Sequence, residues 1–126
     1  MLKALRRGEA IGILPDQVPG VGEGEWAEFF GRPAYTMTLV GRLAEQTGAP
    51  VLLCYSRRLA GARGYRFEIE PLLAPRPAES PVRTLNRSLE SLILRCPEQY
   101  LWSYKRFRPK DGEPDPYRGG ALRGAR

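Results

Sequence analysis

The sequence predicts an α/β protein, because segments with the periods of strands and of helices alternate along most of its 126 residues. Three kinds of segment carry this prediction: two short apolar runs, one stretch that alternates apolar and charged residues, and two amphipathic stretches with helical spacing. The composition, 42% hydrophobic and 27% charged, is typical of a globular protein. A chain of this length forms one domain, so we expect a single core.

The first two predicted elements lie within the first fourteen residues. Residues 1–7 have the composition of a helix, and Gly8 follows where a helix C-cap belongs. No N-cap or turn precedes them, so we expect the last turns of a helix that starts upstream. Residues 10–14 form a short apolar run that ends at Pro15, which predicts a buried strand.

A loop, a helix and a strand are predicted next. Residues 15–32 are rich in glycine and polar side chains, which predicts a loop that becomes aromatic towards its end. Residues 35–47 predict a helix with one apolar face, and Gly48 ends it. Residues 51–55 are continuously apolar, as in a strand that is covered on both faces.

The second half begins with a strand and continues with a second helix. Apolar and charged residues alternate over residues 65–70, as in a half-exposed strand, and a proline-rich connection follows. Residues 82–96 carry apolar side chains at three- and four-residue spacing, which predicts an amphipathic helix. Pro97 stops this helix and can begin another short one. Glycine, proline and charge dominate residues 109–126, which we predict to be a basic disordered tail behind a domain of residues 1–108.

Charge and cysteine usage restrict the classes of partner. Of the net charge of +6, residues 105–126 contribute seven basic and three acidic side chains. Such a tail suits an anionic partner, namely membrane phospholipid, an acidic carrier protein or nucleic acid, or it keeps the chain soluble. Cys54 and Cys96 lie in apolar segments without metal-ligand spacing, so they predict buried free thiols and no metal site.

Asp16 is the candidate carboxylate of a functional site. It directly follows a predicted strand, where open α/β sheets place groups that contact ligands. The alternative is that it only caps the turn by accepting hydrogen bonds from nearby backbone N–H groups. The chain contains no histidine, the commonest general base near neutral pH, and Ser56 and Cys54 lack a base partner. No complete catalytic triad can therefore be assembled.

Aromatic and basic side chains form three further groups, each with two interpretations. Trp26, Phe29 and Phe30 could line a groove for an acyl chain or pack in the core. Arg57 and Arg58 flank a turn that could bind an acidic protein or be merely solvated. The aromatic and basic run at residues 100–106 could stack on bases, but a packed helix that begins at proline explains it better. We therefore expect no nucleic acid partner.

Four stretches, LKALRRGEAIGILPDQ, FFGRPAYTMT, LAEQTGAPVL and PEQYLWSYKRF, together resemble the C-terminal half of the lipid A biosynthesis lauroyl/myristoyl acyltransferases. They occur in the order and spacing of that family and cover residues 2–108. The resemblance implies part of a glycerolipid-acyltransferase-like sheet flanked by helices, with the N-terminal half missing.

The family resemblance also implies an activity for a longer parent protein. Such enzymes transfer a fatty acyl chain from acyl carrier protein to a lipid A precursor at the cytoplasmic face of the bacterial inner membrane, without a cofactor. Their catalytic pair, H-x4-D/E, and their membrane anchor lie upstream of the matched region, so this chain alone is expected to be inactive. A non-catalytic basic module that binds anionic lipid or nucleic acid is the alternative.

Asp16 matches the aspartate of the family's Pro-Asp-Gln motif, which implies that it supports the site by positioning a donor group. The predicted substrate-binding residues are Gln17, Phe29, Phe30, Arg57 and Arg58.

Overall fold

The computed structural model describes residues 1–110 and 112–118. Helices and two small antiparallel sheets make up this part of the chain, which confirms the α/β class. The elements are α1 (Leu2–Arg6), β1 (Gly24–Phe29), β2 (Arg32–Met37), α2 (Leu39–Thr47), β3 (Leu52–Arg58), β4 (Tyr65–Pro71), α3 (Pro81–Ile93) and a 3₁₀-helix (Pro97–Gln99).

The first sheet is the hairpin of β1 and β2, which sequence reasoning missed. Phe30 and Gly31 form its two-residue turn with φ values of 48° and 72°, the positive values that a tight hairpin turn requires. Across the strands Trp26 faces Tyr35, and their ring centroids lie 5.4 Å apart. This cross-strand packing stabilises a hairpin, so the loop predicted over residues 15–32 is wrong from residue 24 onward.

Helix α2 begins at Leu39, four residues later than predicted. Residues 35–37 pair with β1 as the end of β2, so they are not free to enter a helix. The predicted end is confirmed, because Gly48 adopts the left-handed conformation with φ 69° and its N–H bonds to the Ala44 carbonyl oxygen.

The second sheet, β3 with β4, is covered on one face only. Leu53 points inward and is 6% exposed, whereas its neighbour Leu52 points outward and is 57% exposed. The prediction that β3 is covered on both faces is therefore wrong, since no described element packs against its outer face. Cys54 lies on that outer face and is exposed, which corrects the predicted burial of its thiol. Cys96 is buried as predicted, and both thiols are free.

The alternation of β4 is confirmed, but its apolar side chains face outward. Tyr65, Phe67 and Ile69 are 70%, 64% and 59% exposed. The acidic side chains of the opposite face are partly buried, where Glu68 accepts a hydrogen bond from Tyr55 and Glu70 pairs with Arg95 at 2.5 Å. The two strands together present an exposed apolar surface, the outer sheet face (Leu52, Cys54, Tyr65, Phe67, Ile69).

Residues 10–14 form neither a strand nor a helix, so the predicted buried strand is wrong. A strand exists only by pairing with a neighbour, and no described strand pairs with these residues. Their apolar side chains instead line the cavity described below.

The core is assembled around α3, whose amphipathic pattern is confirmed although the helix ends at Ile93 and not at residue 96. Ser80 caps its N-terminus, since its hydroxyl oxygen accepts from the Arg83 N–H at 3.2 Å. The buried side chains that meet are Phe29, Ala34, Leu53, Leu85, Leu89, Leu92 and Ile93. Beside the N-terminus of α3, hydrogen bonds from the Arg87 guanidinium hold the pKa of Glu79 well below its usual range.

Two further predictions concern membrane spans and the tail. Within residues 1–110 and 112–118, the helices are too short and too polar for any of them to cross a bilayer. The predicted disordered tail falls in part outside the described residues, at 111 and 119–126. In the described part of the tail, the Tyr117 hydroxyl accepts a hydrogen bond from the Phe107 N–H at 2.9 Å. Disorder of the whole tail stays a prediction.

Candidate functional site

An apolar cavity of ≈ 780 Å³ lies between residues 10–16 on one side and α2, β3 and α3 on the other. This volume falls in the range of roughly 300–1,000 Å³ that is typical of small-molecule sites. We call it the apolar cavity; its lining includes Ile11, Ile13, Leu43, Leu53, Leu89 and Ile93. Polar side chains also contribute to its wall, among them Asp16 and Tyr100.

Asp16 lies beside Tyr100 at this wall, and both side chains are half-buried. Burial, and to a lesser degree the negative charge of nearby Asp16, raise the pKa of Tyr100 to about 12. Tyr100 therefore keeps its proton at neutral pH and can donate a hydrogen bond. The sequence predicted Asp16 at a ligand-facing position but gave no sign of Tyr100.

The loop that carries Asp16, residues 15–19, is held by a second tyrosine. The Tyr104 hydroxyl accepts from the Val18 N–H at 2.8 Å, although 86 residues separate the two along the chain. Gln17 is exposed and does not line the apolar cavity, and its N–H lies 3.4 Å from the Leu14 carbonyl oxygen. Its predicted contact with a substrate stays a prediction.

Arg106 is a buried cation behind the site, with 3% of its surface exposed. Its guanidinium donates to the Tyr35 carbonyl oxygen at 2.7 Å and to the Thr36 hydroxyl at 2.8 Å, and its Nε has no partner among the described atoms. Burial lowers the pKa of Arg106, while nearby Tyr100, Tyr104 and Asp16 act in the opposite direction. Nothing in the sequence distinguishes this buried arginine from its exposed neighbours.

Phe29 and Phe30 occupy different environments, neither of them at the wall of the apolar cavity. Phe29 is 1% exposed and packs in the core, where the Arg106 guanidinium lies 5.3 Å from its ring centroid. Phe30 is half-buried, and its ring centroid lies 5.7 Å from that of Trp102. Binding of a substrate by these two residues stays a prediction.

Arg57 and Arg58 line a second, more open pocket of ≈ 560 Å³, the basic pocket, together with Leu59, Ala60, Arg95, Cys96, Glu98 and Gln99. Arg57 pairs with Glu68 at 3.5 Å, so part of the positive charge is neutralised. Arg58 is exposed, and its backbone N–H and carbonyl both bond to the side-chain amide of Gln99, at 2.8 and 3.1 Å. The predicted basic cluster therefore exists as a surface feature, and binding of a substrate by it stays a prediction.

The buried thiol of Cys96 and the groups that could ligate a metal were the remaining candidates for chemistry in the described residues. The Cys96 thiol donates to a Glu98 carboxylate oxygen at 2.9 Å, and this bond, with burial, raises the pKa of the thiol. A thiol with a raised pKa is a poor nucleophile because little thiolate is present. No cluster of three potential metal-ligating side chains occurs in the part of the chain that the structure describes.

The aromatic run at residues 100–106 is not a helix, so the predicted packed helix is reduced to the 3₁₀ turn at residues 97–99. Trp102 is 53% exposed and donates its indole N–H to the Pro97 carbonyl oxygen at 2.7 Å. The Tyr104 hydroxyl of this run turns back instead to the loop of Asp16, where it accepts from the Val18 N–H.

Comparisons with known proteins place these features in one family. The family described as bacterial lipid A biosynthesis acyltransferase matches residues 1–109. The lipid A biosynthesis lauroyltransferase of Escherichia coli (strain K12) is 31% identical over 122 residues, which are 93% of this chain and 40% of that protein. A lipid A biosynthesis acyltransferase of Haemophilus influenzae is 33% identical over 89% of this chain and 36% of its own length.

The palmitoleoyltransferase of lipid A biosynthesis from Escherichia coli (strain K12) is 34% identical over 85% of this chain and 36% of its own length. The chain thus spans 36–40% of the length of these three relatives. The match of the family to residues 1–109 includes both sheets, α3 and the loop of Asp16. The chain belongs to the bacterial lipid A biosynthesis acyltransferase family.

Proposed function

We propose that this chain is part of an acyltransferase that transfers a fatty acyl chain from acyl carrier protein to a hydroxyl group of a lipid A precursor. The observation that carries the proposal is an apolar cavity with a carboxylate at its wall in a chain that belongs to this family. We further propose that β3 and β4 belong to a glycerolipid-acyltransferase-like sheet, flanked by α2 and α3. The reaction would take place at the cytoplasmic face of the bacterial inner membrane.

The apolar cavity is the proposed site of the acyl chain. Burial of each methylene group stabilises a bound chain by about 0.8 kcal/mol. The many leucine and isoleucine side chains of its lining suit such a ligand because they offer apolar contact.

Asp16 is proposed to act at the polar end of this cavity. An ionised carboxylate repels a developing oxyanion, so its sound role is to orient a hydrogen-bond donor that faces the reacting groups. Tyr100, at the same wall of the cavity, is a candidate for such a donor. Gln17 and Phe30 are proposed to contact the substrate, whereas Phe29, which is 1% exposed, supports them from the core.

The basic pocket is the proposed contact for the acidic acyl carrier protein and for the membrane surface. Arg58 is exposed there, and Arg57 and Arg95 stand beside it. Attraction between opposite charges accelerates association and weakens as the salt concentration rises. The described residues also leave an apolar sheet face exposed beside this pocket.

The chain by itself is proposed to be inactive. It contains no histidine, and a positioned general base contributes about 10²- to 10⁴-fold to the rate of such a reaction. Acyl transfer would require the H-x4-D/E pair from a segment that this chain does not contain.

A graft tests the proposal, in which this chain replaces the region it matches in the lauroyltransferase of Escherichia coli. In cells that lack their own lauroyltransferase, we expect the graft to add one acyl chain to lipid A, measured by mass spectrometry. Asp16→Ala in the graft should reduce turnover by about 10²- to 10³-fold. Glu25→Ala, at an exposed position of β1, is the control and should retain the turnover of the graft.

Two results would count against the proposal. A graft that folds and reaches the membrane but leaves lipid A unchanged would contradict the proposed reaction. Unchanged turnover of the Asp16→Ala graft would remove Asp16 from the site while leaving the reaction in place.

A further inference from the structure

Two tyrosines of one segment hold the loop that carries Asp16. The Tyr104 hydroxyl accepts from the Val18 N–H at 2.8 Å, and Tyr100 lies against Asp16 at the wall of the apolar cavity. The other backbone hydrogen bond of this loop, from the Gln17 N–H to the Leu14 carbonyl oxygen, is longer at 3.4 Å and therefore weaker. Residues 15–19 belong to no helix or strand, so the bond from the Val18 N–H to Tyr104 is the shortest hydrogen bond that holds them among the described residues.

Arg106 fixes this aromatic segment to the core. Its N–H donates to the Tyr104 carbonyl oxygen at 2.8 Å, which joins it directly to the residue that holds Val18. Its guanidinium bonds to the carbonyl oxygen of Tyr35 and the hydroxyl of Thr36, two adjacent residues of β2. Thr36 in turn accepts from the buried Asn86 of α3 at 2.9 Å.

The structure assigns to Tyr104 the role of a positioning residue for Asp16, with Arg106 as the anchor of Tyr104. A continuous path of hydrogen bonds leads from α3 and β2 through Arg106 and Tyr104 to the Val18 amide. This inference rests on the proposed function, because only a role of Asp16 in the reaction makes the position of its carboxylate important. A displacement of about 1 Å at a positioned group can cost roughly 10²-fold in rate.

Tyr104→Phe tests the positioning role in the chain itself. Loss of the hydroxyl leaves the Val18 N–H without its acceptor, while the ring stays in place. We expect hydrogen exchange of the Val18 amide, measured by NMR, to become about 2- to 10-fold faster, as loss of one hydrogen bond predicts. Tyr117→Phe is the matched control: it removes an equivalent bond to the Phe107 N–H and should leave Val18 unchanged.

The graft supplies the second readout. Tyr104→Phe should lower kcat by about 10- to 100-fold with little change in KM, because misplacement of Asp16 affects the transition state more than binding. Tyr117→Phe should leave both constants unchanged.

Distinct results would overturn the inference and the proposed function. Unchanged hydrogen exchange of the Val18 amide in Tyr104→Phe would refute positioning by Tyr104. So would a Tyr104→Phe graft with the kcat of the unmodified graft, if Asp16→Ala inactivates that graft. Neither result would touch the proposed function. Full turnover of the Asp16→Ala graft would refute the role of Asp16, on which the inference rests. A Tyr104→Phe chain that fails to fold would show that the hydroxyl serves overall stability, which also refutes the inference.

Discussion

Arg106 illustrates at the scale of one residue how a charge is kept inside a small protein. It is 3% exposed and forms no ion pair among the described residues. Burial of an unpaired charge is costly unless hydrogen bonds compensate for lost water, and here a backbone carbonyl and a buried hydroxyl do so. The electron-rich face of the Phe29 ring adds a favourable contact.

The pKa of Tyr100 reports the proximity of Asp16. Burial is the largest cause of the raised pKa of Tyr100, and the negative charge of Asp16 adds to it, so Asp16→Asn should lower the pKa from about 12 while burial keeps it above the ordinary value of 10.0. A pH titration of the chain labelled with ¹³C at the tyrosine ring carbons measures this value. Glu25→Gln is the control and should leave it unchanged; an unaltered pKa in Asp16→Asn would contradict the contact.

The candidate site was predictable from the sequence only in part. Asp16 was expected at a ligand-facing position, and it does lie at the wall of a cavity, although the strand that should precede it is absent. Tyr104 could not be predicted, because its partner Val18 lies 86 residues away and no local pattern records such a contact.

At the scale of secondary structure, the amphipathic helices were the most predictable elements. Both α2 and α3 carry an apolar stripe, and a glycine after α2 and a serine before α3 mark the ends. The β1–β2 hairpin was missed because exposed and buried positions do not alternate cleanly along β1. The strand at residues 10–14 was predicted from hydrophobicity alone, which cannot show whether a pairing partner exists.

The N-terminus of α3 should depend on Ser80. Ser80→Ala removes the side-chain acceptor of the Arg83 N–H, and such a loss typically lowers the free energy of unfolding by about 1 kcal/mol. Urea unfolding followed by circular dichroism measures the change. Ser103→Ala, at an exposed position outside the helices, is the control; an equal loss in both variants would contradict the capping role.

At the scale of the whole molecule, the distribution of apolar side chains is asymmetric. The apolar side chains of β4 point to solvent while its glutamates contact arginine and tyrosine side chains on the inner face. Contiguous apolar surface of this kind is uncommon on a soluble monomer and favours association. The α/β class followed from the sequence, but this orientation did not, because alternation shows that a strand has two faces without showing which one is covered.

Phe67→Glu should reduce the apolar surface that the chain exposes. The side chain is 64% exposed at the centre of the outer sheet face, so we expect lower fluorescence of a bound hydrophobic dye and a higher solubility limit. Val21→Glu is the control, because Val21 is fully exposed but lies outside that face. A dye signal that falls equally in both variants would contradict an organised apolar surface.

The side-chain amide of Gln99 has a consequence for how the second sheet can grow. It bonds to both the N–H and the carbonyl oxygen of Arg58, which point away from β4, and so imitates the backbone of a neighbouring strand. The corresponding backbone groups of Leu52, Cys54 and Ser56 have no such side-chain cover among the described residues, and these residues line the apolar cavity. A strand that pairs with this edge would therefore meet Gln99 at Arg58, which limits how far the pairing can extend.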